Sequence, residues 1–331
     1  MTLYLHSVGH FHPENEITNQ FLEELDIGTN DQWIIDRVGI RSRRTVLPLE
    51  YISETRNAEP RDAMDAALYS NADLGRRAAE LAIARAGIEK SDVGMLIGGT
   101  SLMDTTSPAE SCNIAQALEL EVPAFDVNSA CTSFYVQLYL LSKMQPDQLP
   151  DYVLLVAPDC LTKAVDYSDR SAAVLWGDGA AAAVVSTRHP ARARIEGNTL
   201  ASSPAGNDKV IVPRFGFFHQ EGRTVQTFGI KRMTRLLNEM RARFEDPERR
   251  FNFVGHQANS RMLESVCKHG GIPDDRHFSN VEWFGNTASA SSASVVSMEW
   301  EKWRDGDDVA VVGVGSGLTW SSYLIRFGDN L

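Results

Sequence analysis

Three residues able to do nucleophilic or polarising chemistry stand where apolar runs meet turns. Cys131 lies in Asn128-Ser129-Ala130-Cys131, after the strand-like run 124–127 and just before 134–144, which has helical periodicity. A cysteine there sits at a helix N-terminus, where free N–H groups and the positive dipole end favour thiolate and can hold an oxyanion. The competing reading is a small buried core residue, since free cysteine is among the most buried types. His256, in His256-Gln257-Ala258-Asn259, closes an apolar strand and offers an imidazole with two amides within one turn. Asn286, in Gly285-Asn286-Thr287, opens a run of Ala and Ser so small that other groups can approach closely. A strand-end histidine is often only structural and an Asn before a helix is a routine cap, so each alone leaves both readings open.

The elements that must position these residues follow from periodicity. Residues 3–9 read as a strand, Thr18 caps a helix through Phe21 to Leu25, and a helix runs over 31–39, placing Trp33 and Arg37 one turn apart on one face. Residues 45–72 read as a surface excursion with a short helix at 63–69. Helix 74–86 is closed by Gly87; strand 93–98, helix 108–118, the Cys131 segment, strand 152–157 and strand 179–186 follow. The order then repeats: helix 230–244, strand 251–254, helix 260–269, helix 288–303, strand 309–314 and strand 321–327. Recurrence of pattern without sequence identity implies a duplicated α/β architecture, with halves at 1–187 and 188–331.

Composition narrows the function. The 331 residues carry a net charge of −12, which argues against general nucleic-acid binding. No apolar run is long enough to span a bilayer, and the N-terminal stretch lacks a basic start followed by an apolar core. Four widely spaced cysteines with no CxxC pair suit a reducing cytoplasm, the expected location. Positive charge gathers at Arg37, Arg41, Arg43 and Arg44, and again at Lys231, Arg232, Arg235, Arg241 and Arg243. Such runs are usually solvated faces; the sharper reading is a local patch for an anionic partner. His6, His10 and His12 share strand parity, but Gly9 and Pro13 break the strand and no acidic or Cys partner stands at ligand spacing, so no metal is expected.

Together AFDVNSAC, VGHQANSR, GNTASAS and GVGSGLTWSSYLIRF, with DQWIIDRVGIRSR, GDGAAAAV and HPENEITN, resemble the β-ketoacyl-acyl carrier protein synthase III family of the thiolase superfamily. The resemblance covers nearly the whole chain in order. It implies a duplicated five-layer αβαβα thiolase fold, usually a homodimer. It implies that Cys131 takes an acyl group from a thioester, that the N–H groups of Cys131 and Ser316 form the oxyanion hole, and that His256 and Asn286 serve condensation with a malonyl-type thioester. No metal or organic cofactor is implied, because coenzyme A or acyl carrier protein thioesters are already activated. By the same resemblance Trp33 and Arg170 flank the adenine of coenzyme A, Arg37 lies near its phosphates, and Gly222 and Asn259 lie along the pantetheine arm. Arg261 belongs to the basic surface that receives acyl carrier protein.

The chain also departs from that pattern. The 45–72 excursion is long; Ser107 stands where a Phe often lines the acyl pocket; Ser316 replaces a glycine and Gly255 a proline. A small residue at 107 suggests a roomier pocket and a specialised enzyme using medium-chain or unusual acyl donors. Alternatives from other classes are acyl transfer to oxygen or nitrogen, non-decarboxylative condensation, and a catalytically silent thiolase-fold subunit. A papain-like hydrolase shares the Cys, His, Asn order but not the flanking motifs. The glycine turn at 313–317 is followed by a strand rather than a helix, so it is no dinucleotide site.

Overall fold

The computed structural model describes residues 2–328; the outermost residues of the expected halves, 1 and 329–331, lie outside the described residues. Ten strands form one continuous sheet. In chain order they are β1 (Leu3–Phe11), β2 (Val93–Gly98), β3 (Ala124–Asp126), β4 (Tyr152–Asp159), β5 (Gly179–Ser186), β6 (Ala193–Ser202), β7 (Arg250–Gly255), β8 (His277–Phe278), β9 (Asp307–Gly315) and β10 (Thr319–Phe327). Across the sheet the order is β8-β7-β9-β10-β6-β1-β5-β4-β2-β3. Each strand of the first five therefore has a counterpart five strands later, at the mirrored place. Pairing repeats too: β3 with β2 and β2 with β4 are parallel, as are β8 with β7 and β7 with β9. The pairs β4–β5, β5–β1, β9–β10 and β10–β6 are antiparallel. The two fives join edge to edge through antiparallel β1 and β6.

Helices make the remaining layers of the duplicated αβαβα thiolase fold. Asn71–Ala86 packs on β1, β5 and β4, outside the first five strands; Gly222–Phe244 packs on β9, β10 and the helix Ser260–Gly270, outside the second. Between the two five-stranded halves of the sheet lie Ser133–Leu141 and Ser291–Met298, each touching strands from both halves. Their burial follows from composition: one is apolar on nearly every face, and the other is built of Ser, Ala and Val that fit a narrow space. Two glycines set the layer spacing. A Cβ on Gly9 would lie 2.1 Å from the Ala78 carbonyl oxygen, and one on Gly313 would lie 2.5 Å from the Tyr135 ring.

Several expectations shift. The helix expected from 230 starts at Gly222, and the 288–303 helix is broken into Ala288–Ala290, Ser291–Met298 and Trp300–Lys302. Strand β6 was not legible because Gly197 and alternating polar residues blur its pattern. The 45–72 segment is not merely a surface excursion. It forms the helices Leu49–Thr55 and Asp62–Ala66 and buries Val46, Leu47, Ile52 and Ala63. Buried Asn57 donates to the carbonyls of Lys163 and Val165, which fastens this segment to the chain after β4. Arg43 does not join a surface patch. It is buried and donates to the Val174 carbonyl and to Asn19 Oδ1.

Candidate active site

Two matching turns meet between the two halves of the sheet. In the first, the Ala130 N–H donates to Asn128 Oδ1 at 2.9 Å, Ala130 takes φ 48°, and the turn Ala130–Thr132 runs into Ser133–Leu141. In the second, the Ala288 N–H donates to Asn286 Oδ1 at 3.0 Å, Ala288 takes φ 45°, and Ala288–Ala290 runs into Ser291–Met298. Left-handed backbone at a non-glycine residue is uncommon, and here it recurs at corresponding places in the two halves. By that correspondence Cys131 matches Ser289, and Asn286 matches Asn128. Because the Oδ1 of Asn286 is already used, its Nδ2 is the group left to donate. Its backbone is held on both sides, by the Leu175 carbonyl and the Gly177 N–H.

Cys131 is only 8% exposed and lines a cavity of about 730 Å³. His256, Asn286 and Ser316 line the same cavity, so the expected nucleophile and its expected partners converge from 131, 256, 286 and 316. His256 follows β7, and its N–H donates to the Val312 carbonyl of β9. Its Nδ1 is paired with Ser291 Oγ at 2.8 Å, which directs Nε2 to other partners. Burial lowers the imidazole pKa to about 4, so the ring is neutral at physiological pH.

The helix-terminus expectation of a resting thiolate is corrected. Burial pushes the Cys131 thiol up from 9.0 to about 12, and the nearby Asp159 carboxylate adds to the rise. The N–H groups of Cys131 and Ser316 and the Ser101 hydroxyl act on the sulfur in the opposite direction but do not offset it. A rise of this size is worth about 4 kcal/mol, whereas a helix terminus contributes typically about 0.3–1 kcal/mol. The substrate-free site is therefore a neutral thiol beside a neutral imidazole. Iodoacetamide labelling of Cys131, followed by peptide mass mapping, is expected to be slow at pH 8 and to climb about tenfold per pH unit above it. Exposed Cys112 is the internal reference. A rate plateau near neutral pH would show a thiolate–imidazolium pair instead.

The outer part of the cavity brings together most of the remaining expected residues. Trp33, Arg37, Arg170, Gly222, Asn259 and Arg261 all line it. Two guanidiniums lie over the Trp33 indole, Arg170 at 4.8 Å and Arg37 at 5.7 Å from the ring centroid. Asn259 Oδ1 caps Ser260–Gly270 by accepting from the Met262 N–H, so its Nδ2 is the group that can serve a ligand. Gly222 has open space where a Cβ would stand. Arg261 is partly engaged, donating to the Ile35 carbonyl and to Glu264. Ser107 is exposed, in the loop after β2, and does not line the cavity of this chain. Sequence reasoning missed the apolar lining residues Trp176, Phe218, Phe228 and Leu318, and the polar supports Ser101, Asp159 and Ser291. The parallel between NSAC and NTAS was the signal that could have drawn attention to the second turn.

The three histidines of β1 and its end go to separate partners: His6 to the His189 carbonyl, His10 to Ser297 Oγ and His12 to the Asp178 carbonyl. No group of metal-ligating side chains forms among the described residues.

Comparison with known proteins agrees with this geometry. Residues 125–204 match the family model of 3-oxoacyl-(acyl-carrier-protein, ACP) synthase III, and residues 249–327 match the model of its C-terminal part. A β-ketoacyl-(acyl-carrier-protein) synthase III of Campylobacter curvus is 31% identical over 341 residues, covering 97% of this chain and 96% of that protein. The crystal structure of 3-oxoacyl-(acyl-carrier-protein) synthase III from Aquifex aeolicus superposes with a TM-score of 0.86 at 26% identity, covering 98% of this chain and 100% of that one. That of the Pseudomonas aeruginosa synthase gives 0.85 at 28% identity, with 100% of each chain covered. With the fold, the paired turns and the full-length similarity in agreement, this chain belongs to the β-ketoacyl-(acyl-carrier-protein) synthase III family.

Proposed function

We propose that this protein is an acyltransferase that loads an acyl group onto Cys131 and condenses it with a malonyl-type thioester, releasing carbon dioxide. The observation that carries this reading is the convergence of Cys131, His256, Asn286 and Ser316 on one cavity. An acyl thioester enters past Trp33 and Arg170, its carbonyl oxygen facing the N–H groups of Cys131 and Ser316. Sulfur attacks the carbonyl carbon, the old thioester bond breaks, and the Cys131 proton ends on the departing thiol. The malonyl-type thioester then loses carbon dioxide. Neutral His256, through Nε2–H, and Asn286, through Nδ2, donate to the enolate oxygen that forms. The enolate carbon attacks the acyl-cysteine, forming the carbon–carbon bond and returning the thiolate, which is reprotonated. The thioesters supply the activation, so the reaction needs no metal or organic cofactor.

The remaining assignments belong to the same reading. Trp33 and Arg170 hold the adenine of coenzyme A, Arg37 its phosphates, Gly222 and Asn259 the pantetheine arm, and Arg261 meets acyl carrier protein. The halves divide at 187/188, a boundary supported by the repeating strand order. The working form is a cytoplasmic homodimer. No described helix is long and apolar enough to cross a membrane. One surface supports the dimer: Arg214 donates to Thr106 Oγ1, and Arg61 lies over Phe215, joining three loops. These loops expose Phe215 (62%), Leu68 (59%), Met64 and Met103, together with Ser107. A second copy seated there would bring Ser107 to an acyl pocket that one chain alone does not give it.

The test is incubation with acyl thioesters and malonyl thioester, reading product mass and released carbon dioxide. A β-ketoacyl product longer by two carbons is expected. An ester or amide product without carbon dioxide would overturn the condensation reading. Octanoyl thioester is expected to be turned over faster than acetyl; a clear acetyl preference would overturn the specialised reading of Ser107.

A further inference from the structure

One buried carboxylate ties together two loops beside this site without lining its cavity. Asp159, the last residue of β4, has no exposed surface. One oxygen accepts from Thr100 Oγ1 at 2.9 Å, the Ser101 N–H at 2.7 Å and the Leu102 N–H at 3.3 Å. The other accepts from Ser101 Oγ at 3.1 Å, the Ser289 N–H at 2.8 Å and the Ser289 hydroxyl. These donors come from two separate places. Thr100–Leu102 follows β2, and its Ser101 hydroxyl also acts on the Cys131 sulfur. Ser289 is three residues after Asn286, in the turn that mirrors the nucleophile's own. A carboxylate accepts this many bonds only when the surrounding backbone is arranged to supply them.

We propose that Asp159 is a positioning residue: it binds the Ser101 loop and the Asn286 turn to one carboxylate, and it holds Cys131 as the thiol in the substrate-free site. The inference rests on the reading of Cys131 as the nucleophile. Two features give it physical content. The Ser101 hydroxyl has a single proton, which cannot serve Asp159 and a thiolate at once; burial raises the Asp159 pKa, the bonds from Ser289, Ser101 and Thr100 act against that rise, and the charge of a carboxylate holds the proton more strongly than a neutral amide would. The same charge, buried beside the sulfur, opposes a second negative charge there, in keeping with the raised pKa of the thiol. A sulfur kept protonated in this way resists alkylation and oxidation between turnovers, because thiolate is the reactive form.

The experiment is the pH profile of iodoacetamide labelling at Cys131 in the wild type, Asp159→Asn and Ser101→Ala, with condensation turnover measured in parallel. In Asp159→Asn, labelling at pH 8 is expected to rise at least fivefold while turnover falls at least tenfold, because Asn286 is no longer held in register. In Ser101→Ala, whose hydroxyl proton Asp159 already holds in the wild type, labelling at pH 8 is expected to stay within about twofold. A residue that only stabilised the fold would leave the labelling profile of folded Asp159→Asn unchanged, and that result would overturn the proposal. If Asp159→Asn does not fold, Ser289→Ala, which cuts the hydroxyl tie between Asp159 and the Asn286 turn, decides: condensation is expected to fall at least fivefold with acylation of Cys131 unchanged, and unchanged condensation overturns the proposal. Labelling needs no substrate, so it separates failure of this inference from failure of the condensation reading.

Discussion

Cys131→Ala is expected to leave no covalent acyl adduct after incubation with any acyl thioester and to lower condensation at least a thousandfold. No other group can replace the sulfur. Cys160 and Cys267 are buried and do not line the cavity, and Cys112 is exposed elsewhere. The turn itself does not depend on the thiol. It is held by the Ala130 N–H on Asn128 Oδ1, by Ser133 Oγ accepting from the Ser129 N–H, and by the Thr132–Thr319 hydroxyl pair. The variant should therefore fold with a melting temperature near that of the wild type. Intact-protein mass spectrometry reads the outcome directly: the wild type gains the mass of the acyl group, and the variant gains nothing. An adduct on the alanine variant would place the nucleophile elsewhere and overturn the assignment of Cys131.

His256→Ala is expected to separate the two halves of the reaction. Acyl transfer to Cys131 should persist within about tenfold, since the proposed oxyanion donors are backbone N–H groups that the substitution does not touch. Condensation should fall by about 10²–10³, the usual loss when one donor to a developing oxyanion is removed. Asn286→Ala should behave alike, and the double variant should lose less than the product of the two, because both donate to the same oxygen. Rapid-mix acylation and carbon dioxide release measure the two halves separately. If the His256 variant released carbon dioxide at the native rate, its assigned role would be wrong. The role also constrains pH. With a folded pKa near 4, His256 stays a neutral donor from neutral pH down to about pH 5. Its depressed pKa stabilises the fold fully above the ordinary 6.5, and that contribution is lost as pH falls through 4. Acid inactivation should therefore accompany loss of structure rather than a titration visible in the intact enzyme.

The sequence by itself determined the elements that periodicity writes locally. The apolar strands Tyr152–Asp159 and Gly179–Ser186, the amphipathic helix Ser260–Gly270 with its Asn259 cap, and the Gly87 stop of Asn71–Ala86 were all legible because each depends on residues a turn or a pleat apart. So was the duplication, and, through several motifs in order, the family. What the chain order concealed was decided by tertiary contact. The Asn128 and Asn286 turns are the same device in two halves, and the faint parallel of NSAC with NTAS gains meaning through the shared Asn Oδ1 bond and backbone conformation at Ala130 and Ala288. Asp159, an unremarked residue at a strand end, became a junction because the sheet places β4 next to β2 and brings Ser289 across from the other half. The charge state of Cys131 is the clearest case. Its place before a helix argued for thiolate, but ionisation depends on everything packed around the sulfur, and burial at 8% exposure outweighs the dipole of one helix. Residue types and local order settle which groups are available for chemistry; the desolvation and neighbours that set their protonation exist only once distant segments have packed.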